Sequence, residues 1–196
     1  VMSYQEVARL SNKLITDVDL VDEVWSERPS ISHEPAFIYD EEYCGESRAS
    51  KLARLRSAMG DCQHHIITSL DDIVWLFNIR GNDVDCNPVV LSYALINQDN
   101  AILYVQDNVV DVKTEAILKR DSIIIRAYND IYEDVKKLTG KVLLDDQIVN
   151  YQIFNNLNCE IKTAPNPTQH FKAIKNETEI KATKNAHIKD GVAMTK

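Results

Sequence analysis

The sequence contains 196 residues, of which 44% are hydrophobic and 27% are charged, and its formal net charge is −8 at pH 7. This balance is typical of a soluble globular protein with one large domain and, at most, parts of others. The acidic excess argues against general affinity for nucleic acid or anionic membranes, because both require a basic surface.

Short patterns disfavour several further classes of protein. No run of about 18 apolar residues is present, so no membrane-spanning helix is expected. The four cysteines stand far apart, and no signal-peptide pattern precedes them, which favours reduced thiols and a cytoplasmic location. The five scattered glycines form no dinucleotide-binding or phosphate-binding loop, and GxSxG and HExxH motifs are absent.

The N-terminal stretch has the spacing of an amphipathic helix. Apolar residues recur at intervals of three and four from Tyr4 to Leu14, and Pro29 and Pro35 interrupt regular structure further along. Such a helix cannot bury its apolar stripe alone. We expect its partner to lie in the following domain or in a truncated neighbouring domain, and we favour the latter.

A second helix is predicted around Leu52, Leu55 and Met59, with Gly60 at a position typical of a helix C-terminus. The basic residues of this segment are interpreted as its solvent-exposed face: Arg48, Lys51, Arg54 and Arg56. A strand follows at residues 64–68. His64 and His65 would face opposite sides of this strand and could not easily bind one ion together.

A short helix is predicted to begin after Ser69, which with Asp72 resembles a capping box. Asp71 and Asp72 could act as general acid and base, but the first turn of a helix favours a capping role. Asp145 and Asp146 end a predicted strand, where ligands often bind, but turn formation is again the favoured interpretation. No His, Cys, Asp or Glu set has recognisable ligand spacing, so no metal site is predicted in this chain.

The remaining elements alternate between strand and helix. Strands are predicted at residues 89–96 and 101–106, joined by a four-residue turn, and at 122–128, 141–146 and 159–162. Helices are predicted at residues 109–118, 129–138 and 148–157. This order predicts an α/β fold with a mixed sheet covered by helices. Residues 163–168, with two prolines, read as a linker to a final polar helix.

A polar insert at residues 78–88 separates two apolar runs and contains Arg80, Gly81, Asp83 and Asn87. Arg80 could bind a carboxylate or carbonyl in a cleft through two parallel N–H bonds. Alternatively, it pairs with Asp83 or Asp85 on a surface loop, contributing ~0–1 kcal/mol. Composition alone favours the surface loop.

Three ordered stretches resemble the three-domain aminopeptidases P, the Xaa-Pro aminopeptidases of the creatinase/prolidase superfamily. They are LVDEVWSERP (20–29), SLDDIVWLFNIRGNDVDCNPVVLSYALI (69–96) and KAIKNETEIKATKNAHIKDGVA (172–193). The resemblance implies a creatinase/prolidase N-terminal-domain-like fold. Its implied division is the end of a first domain (residues 1–35), a middle domain (36–167) and the start of a catalytic domain (168–196).

The resemblance also implies a function for the parent protein. Such enzymes remove the N-terminal residue of peptides with proline in second position, using two divalent cations, manganese or zinc. The ligands of these ions would lie downstream of this chain, so the chain alone is expected to be inactive and to hold no cofactor. A homodimer is also implied. Alternatively, the chain is a binding or assembly module on a catalytically inactive peptidase-like scaffold, as in certain histone chaperones.

Within the motif, Arg80 matches the arginine of the family's RG element, and Asp83 and Asn87 match the polar positions after it. The resemblance implies that these residues face the substrate cleft, where Arg80 orients substrate or braces a domain interface. Trp75 and Phe77 are expected to pack the helix. The family's Gly-Met-Arg is replaced by residues 182–184, Ala-Thr-Lys, and His187 is not expected to be catalytic.

Overall fold

The fold is described from a computed structural model, which covers residues 2–10 and 18–195. The strands are β1 (Phe37–Ile38), β2 (His64–Ile67), β3 (Ile79–Arg80), β4 (Ser92–Asn97), β5 (Ala101–Val105), β6 (Ile123–Ala127), β7 (Lys141–Leu144) and β8 (Glu160–Thr163). The helices are α1 (Tyr4–Ala8), α2 (Leu20–Val24), α3 (Glu41–Cys44), α4 (Arg48–Ala58), α5 (Leu70–Leu76), α6 (Val112–Arg120), α7 (Ile131–Asp134), α8 (Tyr151–Asn156), α9 (Pro167–Ala173) and α10 (Glu177–Thr195).

Six strands form one mixed sheet in the order β6-β5-β4-β2-β7-β8. β4 runs antiparallel to both of its neighbours, and the other adjacent pairs are parallel. The predicted α/β fold with a mixed sheet is therefore confirmed. β1 and β3 form a separate two-stranded antiparallel ribbon, so the polar insert begins with a short strand.

The four central strands β2, β4, β5 and β7 are mostly buried on both faces, since successive side chains of a strand point to opposite sides. Ile67 and Ile96 belong to the core cluster beneath α4 and α5. Their neighbours Ile66 and Leu95 belong to a second cluster, which includes residues of α7 and α8. The sheet is thus the middle layer of a three-layer domain.

The first helix finds a partner within the chain. The Tyr4 ring stacks on Phe154 of α8 with ring centroids 3.6 Å apart, and the Tyr4 amide donates to the Val149 carbonyl at 2.9 Å. The preference for a truncated neighbour was wrong for Tyr4. Leu10, in contrast, is 46% exposed, and Leu14 lies outside the described residues.

Several predicted boundaries differ from those of the structure, and two of them bear on the site. The strand predicted at residues 89–96 begins only at Ser92, because the preceding backbone bonds to the polar insert: the Asp83 amide donates to the Val89 carbonyl at 3.3 Å. The predicted linker contains the start of α9, with Pro167 in its first turn, where a missing N–H costs no helical hydrogen bond. The short helix α2 was not predicted.

A buried polar network around Asn166 connects the sheet to α5 and α9. The Asn166 Oδ1 accepts from the Thr168 amide at 3.2 Å, and its Nδ2 donates to Asp72 Oδ2 at 3.0 Å. His65 is fully buried; its Nε2 lies 3.1 Å from Asn166 Oδ1 and its Nδ1 lies 3.0 Å from the Leu143 carbonyl oxygen. Side chains from β2, α5 and the β8–α9 turn are therefore tied together.

The capping box predicted at Ser69 does not form. The Ser69 hydroxyl donates to the Asp72 carboxylate instead of accepting from the helix backbone. Asp72 is 1% exposed, and the Lys172 ammonium of α9 lies 2.9 Å from its Oδ1. Asp72 is therefore a buried ion-pair partner that holds α9 against α5.

Burial lowers the pKa of His65, and its contacts with Leu143 and Asn166 offset only part of that effect. As the pH falls below 6.5, the ordinary pKa of histidine, His65 therefore takes up a proton in the unfolded chain before it does so in the folded chain. We expect the free energy of unfolding to fall with decreasing pH in that range, by up to about 1.4 kcal/mol per pH unit from this group.

The measurement is urea unfolding of this chain at a series of pH values from 7 downwards. His65→Gln removes the titrating group and should flatten the slope. His187→Gln, at an exposed position on α10, is the matched control and should leave the slope unchanged. An identical slope in His65→Gln and the original chain would contradict the assignment.

Candidate functional site

The site is built around the C-terminal end of α5. The last carbonyls of a helix lack intrahelical donors and carry the negative end of the helix dipole. Here the Arg80 Nη1 donates to the Val74 carbonyl at 2.9 Å, and the Lys51 Nζ donates to the Trp75 carbonyl at 2.9 Å. Two cations from different elements, β3 and α4, therefore cap the same helix end.

Lys51 is almost completely buried, at 1% exposure. Besides Trp75, its ammonium donates to Asn78 Oδ1 at 2.6 Å, and it lies 4.1 Å from the centre of the Trp75 ring. Burial lowers the pKa of Lys51. Asn78 adopts a left-handed backbone conformation with φ 48°, which asparagine tolerates better than most residues.

The prediction that the basic residues of α4 form a solvent-exposed face was wrong for Lys51 and for Arg48. Lys51 and Leu55 are four residues apart and therefore share one helix face, which here points towards α5. Arg54 does lie at the surface, where it pairs with Glu46 at 2.7 Å. Arg48 is largely buried and pairs with Asp121 at 2.7 Å.

Arg80 is half-buried and fixed on one side. Its Nη1 also donates to the Ile79 carbonyl at 2.7 Å, and its guanidinium carbon lies 4.4 Å from the centre of the Tyr39 ring. Burial lowers the pKa of Arg80, but a guanidinium remains charged in proteins. Within the described ranges, no carboxylate forms an ion pair with it, so the predicted pairing with Asp83 or Asp85 was wrong.

The other two predicted cleft residues occupy different positions. Asp83 braces the insert: its Oδ1 accepts from the Ser32 hydroxyl at 2.6 Å, and its Oδ2 accepts from the Leu91 amide at 2.7 Å. Asn87 and Arg80 line the same cleft. The structure thus places Arg80 and Asn87 in one cleft and Asp83 in the scaffold of the insert.

The cleft has a volume of about 310 Å³ and lies between the α5 end of the domain and the first turns of α10. Its walls combine aromatic and charged side chains, chiefly Tyr39, Trp75, Arg80, Asn87, Lys172 and Glu179. Arg80 therefore faces the junction at which the chain continues into α10.

The start of α10 is fixed on the domain by specific contacts. The Asn176 Nδ2 donates to the Cys44 carbonyl at 2.8 Å, and the Trp75 indole donates to Glu179 Oε1 at 3.1 Å. Gly45, at φ 70°, lies so close that a Cβ there would be 2.6 Å from Asn176 Oδ1. Beyond Ala182 the side chains of α10 are exposed.

The acidic groups of the cleft are engaged in these contacts. The second Glu179 oxygen, Oε2, accepts from the Asn176 amide at 3.0 Å, and Asp71 pairs with Lys172. Burial opposes the charge on Lys172, but its bonds to Asp71 and Asp72 outweigh this effect and raise its pKa. Arg80 is left without an acidic partner among the described residues.

Sequence reasoning missed Lys51, Tyr39 and Glu179. For Lys51, the four-residue spacing to Leu55 was a usable signal of an inward-facing position. For Glu179, the spacing from Asn176 is that of an N-terminal capping motif. Tyr39 carried no signal, because its place above Arg80 depends on the pairing of β1 with β3.

No group of three or more potential metal ligands occurs in residues 2–10 and 18–195. In the same residues, no helix is both long and apolar enough to span a membrane.

The fold and the cleft define a three-layer α/β domain with a cationic cleft at one helix end. Residues 27–179 match the family described as Creatinase/Prolidase N-terminal domain, and the chain belongs to this family. It is 34% identical over 194 residues to a probable Xaa-Pro aminopeptidase P of Neurospora crassa, covering 91% of this chain and 28% of the relative. A corresponding protein of Sordaria macrospora is also 34% identical, with 94% and 32% coverage.

A solved structure of another Xaa-Pro aminopeptidase is also similar to this chain. The X-prolyl aminopeptidase from Caenorhabditis elegans, described as a cytosolic enzyme with a di-nuclear active site, is 29% identical. The two superpose with a TM-score of 0.82 over 90% of this chain and 31% of that protein. The chain thus spans about a third or less of the length of the relatives that it matches.

Lys51 and Arg54, three residues apart on α4, provide a test of the helix cap. Lys51→Met would leave Asn78 Oδ1 without its donor and the Trp75 carbonyl with only backbone donors such as the Asn78 amide at 3.5 Å, which should lower the free energy of unfolding by about 1–3 kcal/mol. Arg54→Met removes a surface cation and should cost about 0–1 kcal/mol. Urea unfolding of both variants measures the difference, and equal losses would contradict a specific role for Lys51.

Proposed function

We propose that this chain is a non-catalytic domain of an Xaa-Pro aminopeptidase, which removes the N-terminal residue preceding proline. The names of its relatives and its 34% identity to two of them support this proposal. The proposed divisions are an end of a first domain (residues 1–35), a middle domain (36–167) and the start of a catalytic domain (168–196).

In this proposal, the chain shapes the edge of the substrate cleft. The observation that carries it is the position of Arg80: one side of the guanidinium caps α5, and the residue lines a cleft shared with α10. Arg80 would orient the bound peptide or brace the domain interface, with Asn87 in the same cleft. Asp83 would act indirectly by holding the insert in shape, since it bonds to Ser32 and to the Leu91 amide.

The parent enzyme would use two divalent cations, either manganese or zinc, to activate the hydrolytic water. The described residues of this chain offer no cluster that could hold them. The metal-binding residues would therefore belong to another part of the protein. We also propose a cytoplasmic location, in line with the cytosolic enzyme of Caenorhabditis elegans, and a homodimeric assembly in which this domain takes part.

An assay with Xaa-Pro peptides tests whether catalysis requires parts of the parent protein outside this chain. Purified 196-residue chain and the full-length parent protein are compared, each with manganese or zinc added. We expect turnover from the parent protein and none from this chain, because the proposed metal ligands lie elsewhere. Metal-dependent turnover by this chain would overturn the proposal, as would an inactive parent that is correctly folded and loaded with metal.

Arg80→Lys in the parent protein tests whether Arg80 acts in the substrate cleft. Lysine keeps the positive charge but loses the planar fork of donors. We expect kcat/KM for Xaa-Pro peptides to fall at least about tenfold, equivalent to about 1.4 kcal/mol of transition-state stabilisation. Arg48→Lys is the control, because Arg48 is paired with Asp121. This variant should retain the kcat/KM of the original protein.

Size-exclusion chromatography of the same variants separates a cleft role from an assembly role. The proposal requires Arg80→Lys to elute at the same volume as the original protein. An unchanged kcat/KM in Arg80→Lys would eliminate the cleft role. A smaller assembly with normal kcat/KM per subunit would assign Arg80 to the interface between subunits.

A further inference from the structure

We propose that the open edge of Arg80 is a binding site for a small carboxylate, formed by this chain alone. The site lies in the cleft assigned above, but the inference does not require the proposed function. Carboxylate binding by the 196-residue chain would stand even if the parent protein cleaved no peptide.

The first argument is the set of donors on Arg80. Both recorded hydrogen bonds of the guanidinium use Nη1. The Nε and Nη2 groups donate to no other described residue, and neither is a buried atom without a partner. These two groups form one edge of the planar guanidinium, and two parallel N–H bonds from such an edge match the two oxygens of a carboxylate.

The second argument is that the edge is already oriented. Nη1 is held by the Val74 and Ile79 carbonyls, and the guanidinium lies over the Tyr39 ring. The side chain therefore loses little conformational freedom when a ligand binds, which removes one of the main costs of binding.

The third argument is the local balance of charge. The chain is acidic overall, at −8, yet Arg80 and the buried Lys51 make no ion pair with any described carboxylate. Glu179 is bonded through both oxygens to Trp75 and to the Asn176 amide, and Asp71 is paired with Lys172. An incoming anion would thus meet Arg80 without displacing an existing acidic partner, and the Lys51 charge would remain buried outside the cleft lining.

The fourth argument is the shape and lining of the cleft. A volume of about 310 Å³ lies at the lower end of the range of small-molecule sites. The side chains around Arg80 include the apolar surfaces of Tyr39, Val74, Trp75 and Pro88. The site therefore fits a carboxylate attached to a small apolar group.

The test is a fluorescence titration of this chain at constant ionic strength. Trp75 lies in the cleft and reports on it. Trp25, which is 51% exposed and is not part of the cleft lining, is replaced by phenylalanine to remove its signal. The probes are sodium butyrate, the neutral isostere butyramide and inorganic phosphate.

We expect a saturable response to butyrate with a Kd of about 1–10 mM, and a response to butyramide at least tenfold weaker. Arg80→Lys should weaken butyrate binding at least tenfold, and Arg48→Lys should leave it unchanged. Equal responses to butyrate and butyramide, or no saturable response to butyrate, would overturn the proposal. Tighter binding of phosphate than of butyrate would overturn the assignment to a carboxylate.

A second measurement covers the case in which Arg80→Lys fails to fold. In ¹⁵N-labelled chain, the Arg80 Nε–H resonance should shift on addition of butyrate, while the Arg48 Nε–H, held by Asp121 at 2.7 Å, should not. A stationary Arg80 resonance at saturating butyrate would refute the site.

Discussion

The free carbonyls at the end of α5 are the constraint on which the site depends. A seven-residue helix ends between two apolar runs, and its last carbonyls need donors that the core cannot supply. Lys51 approaches from α4 and Arg80 returns from β3, so both cations enter a largely apolar region. The helix dipole stabilises their charge there, and this explains why the sequence interrupts its core with an arginine.

The same constraint gives Arg80 two sides with different roles. One nitrogen, Nη1, is used by the scaffold, and the residue also lines the cleft beside α10. Asn78, in its left-handed conformation, turns the chain from α5 into β3 and also accepts from Lys51. The cap, the turn and the cleft residue are therefore one structural unit. A substitution of Lys51 should change the position of Arg80.

Much of the fold could be predicted from the sequence, because the signals are local. The strand signals at residues 64–68 and 101–106 and the helical spacing of Leu52, Leu55 and Met59 predict elements that the structure contains. The mixed sheet follows from the order of these elements. The short turn at residues 97–100 predicts the antiparallel pairing of β4 with β5. The antiparallel pairing of β4 with β2 has no such local signal.

The site was predictable only in part, because its contacts join distant segments. Arg80 could be singled out from its place in the polar insert and from the resemblance. Its partners could not: Tyr39 is brought there by the ribbon of β1 and β3, and Glu179 by the packing of α10 on α3. Asn166 looked like part of a linker, yet its amide is buried because Thr168, Asp72 and His65 satisfy it.

The central claim is that the cap on α5 holds Arg80 at the edge of a ligand cleft. A crystal structure of the full-length parent protein with a bound product peptide that begins with proline tests it most directly. The account predicts that Arg80 Nη1 stays bonded to the Val74 carbonyl while Nε or Nη2 lies within about 3.2 Å of a ligand oxygen. A ligand separated from Arg80 by another element, with the guanidinium edge facing bulk water, would contradict it.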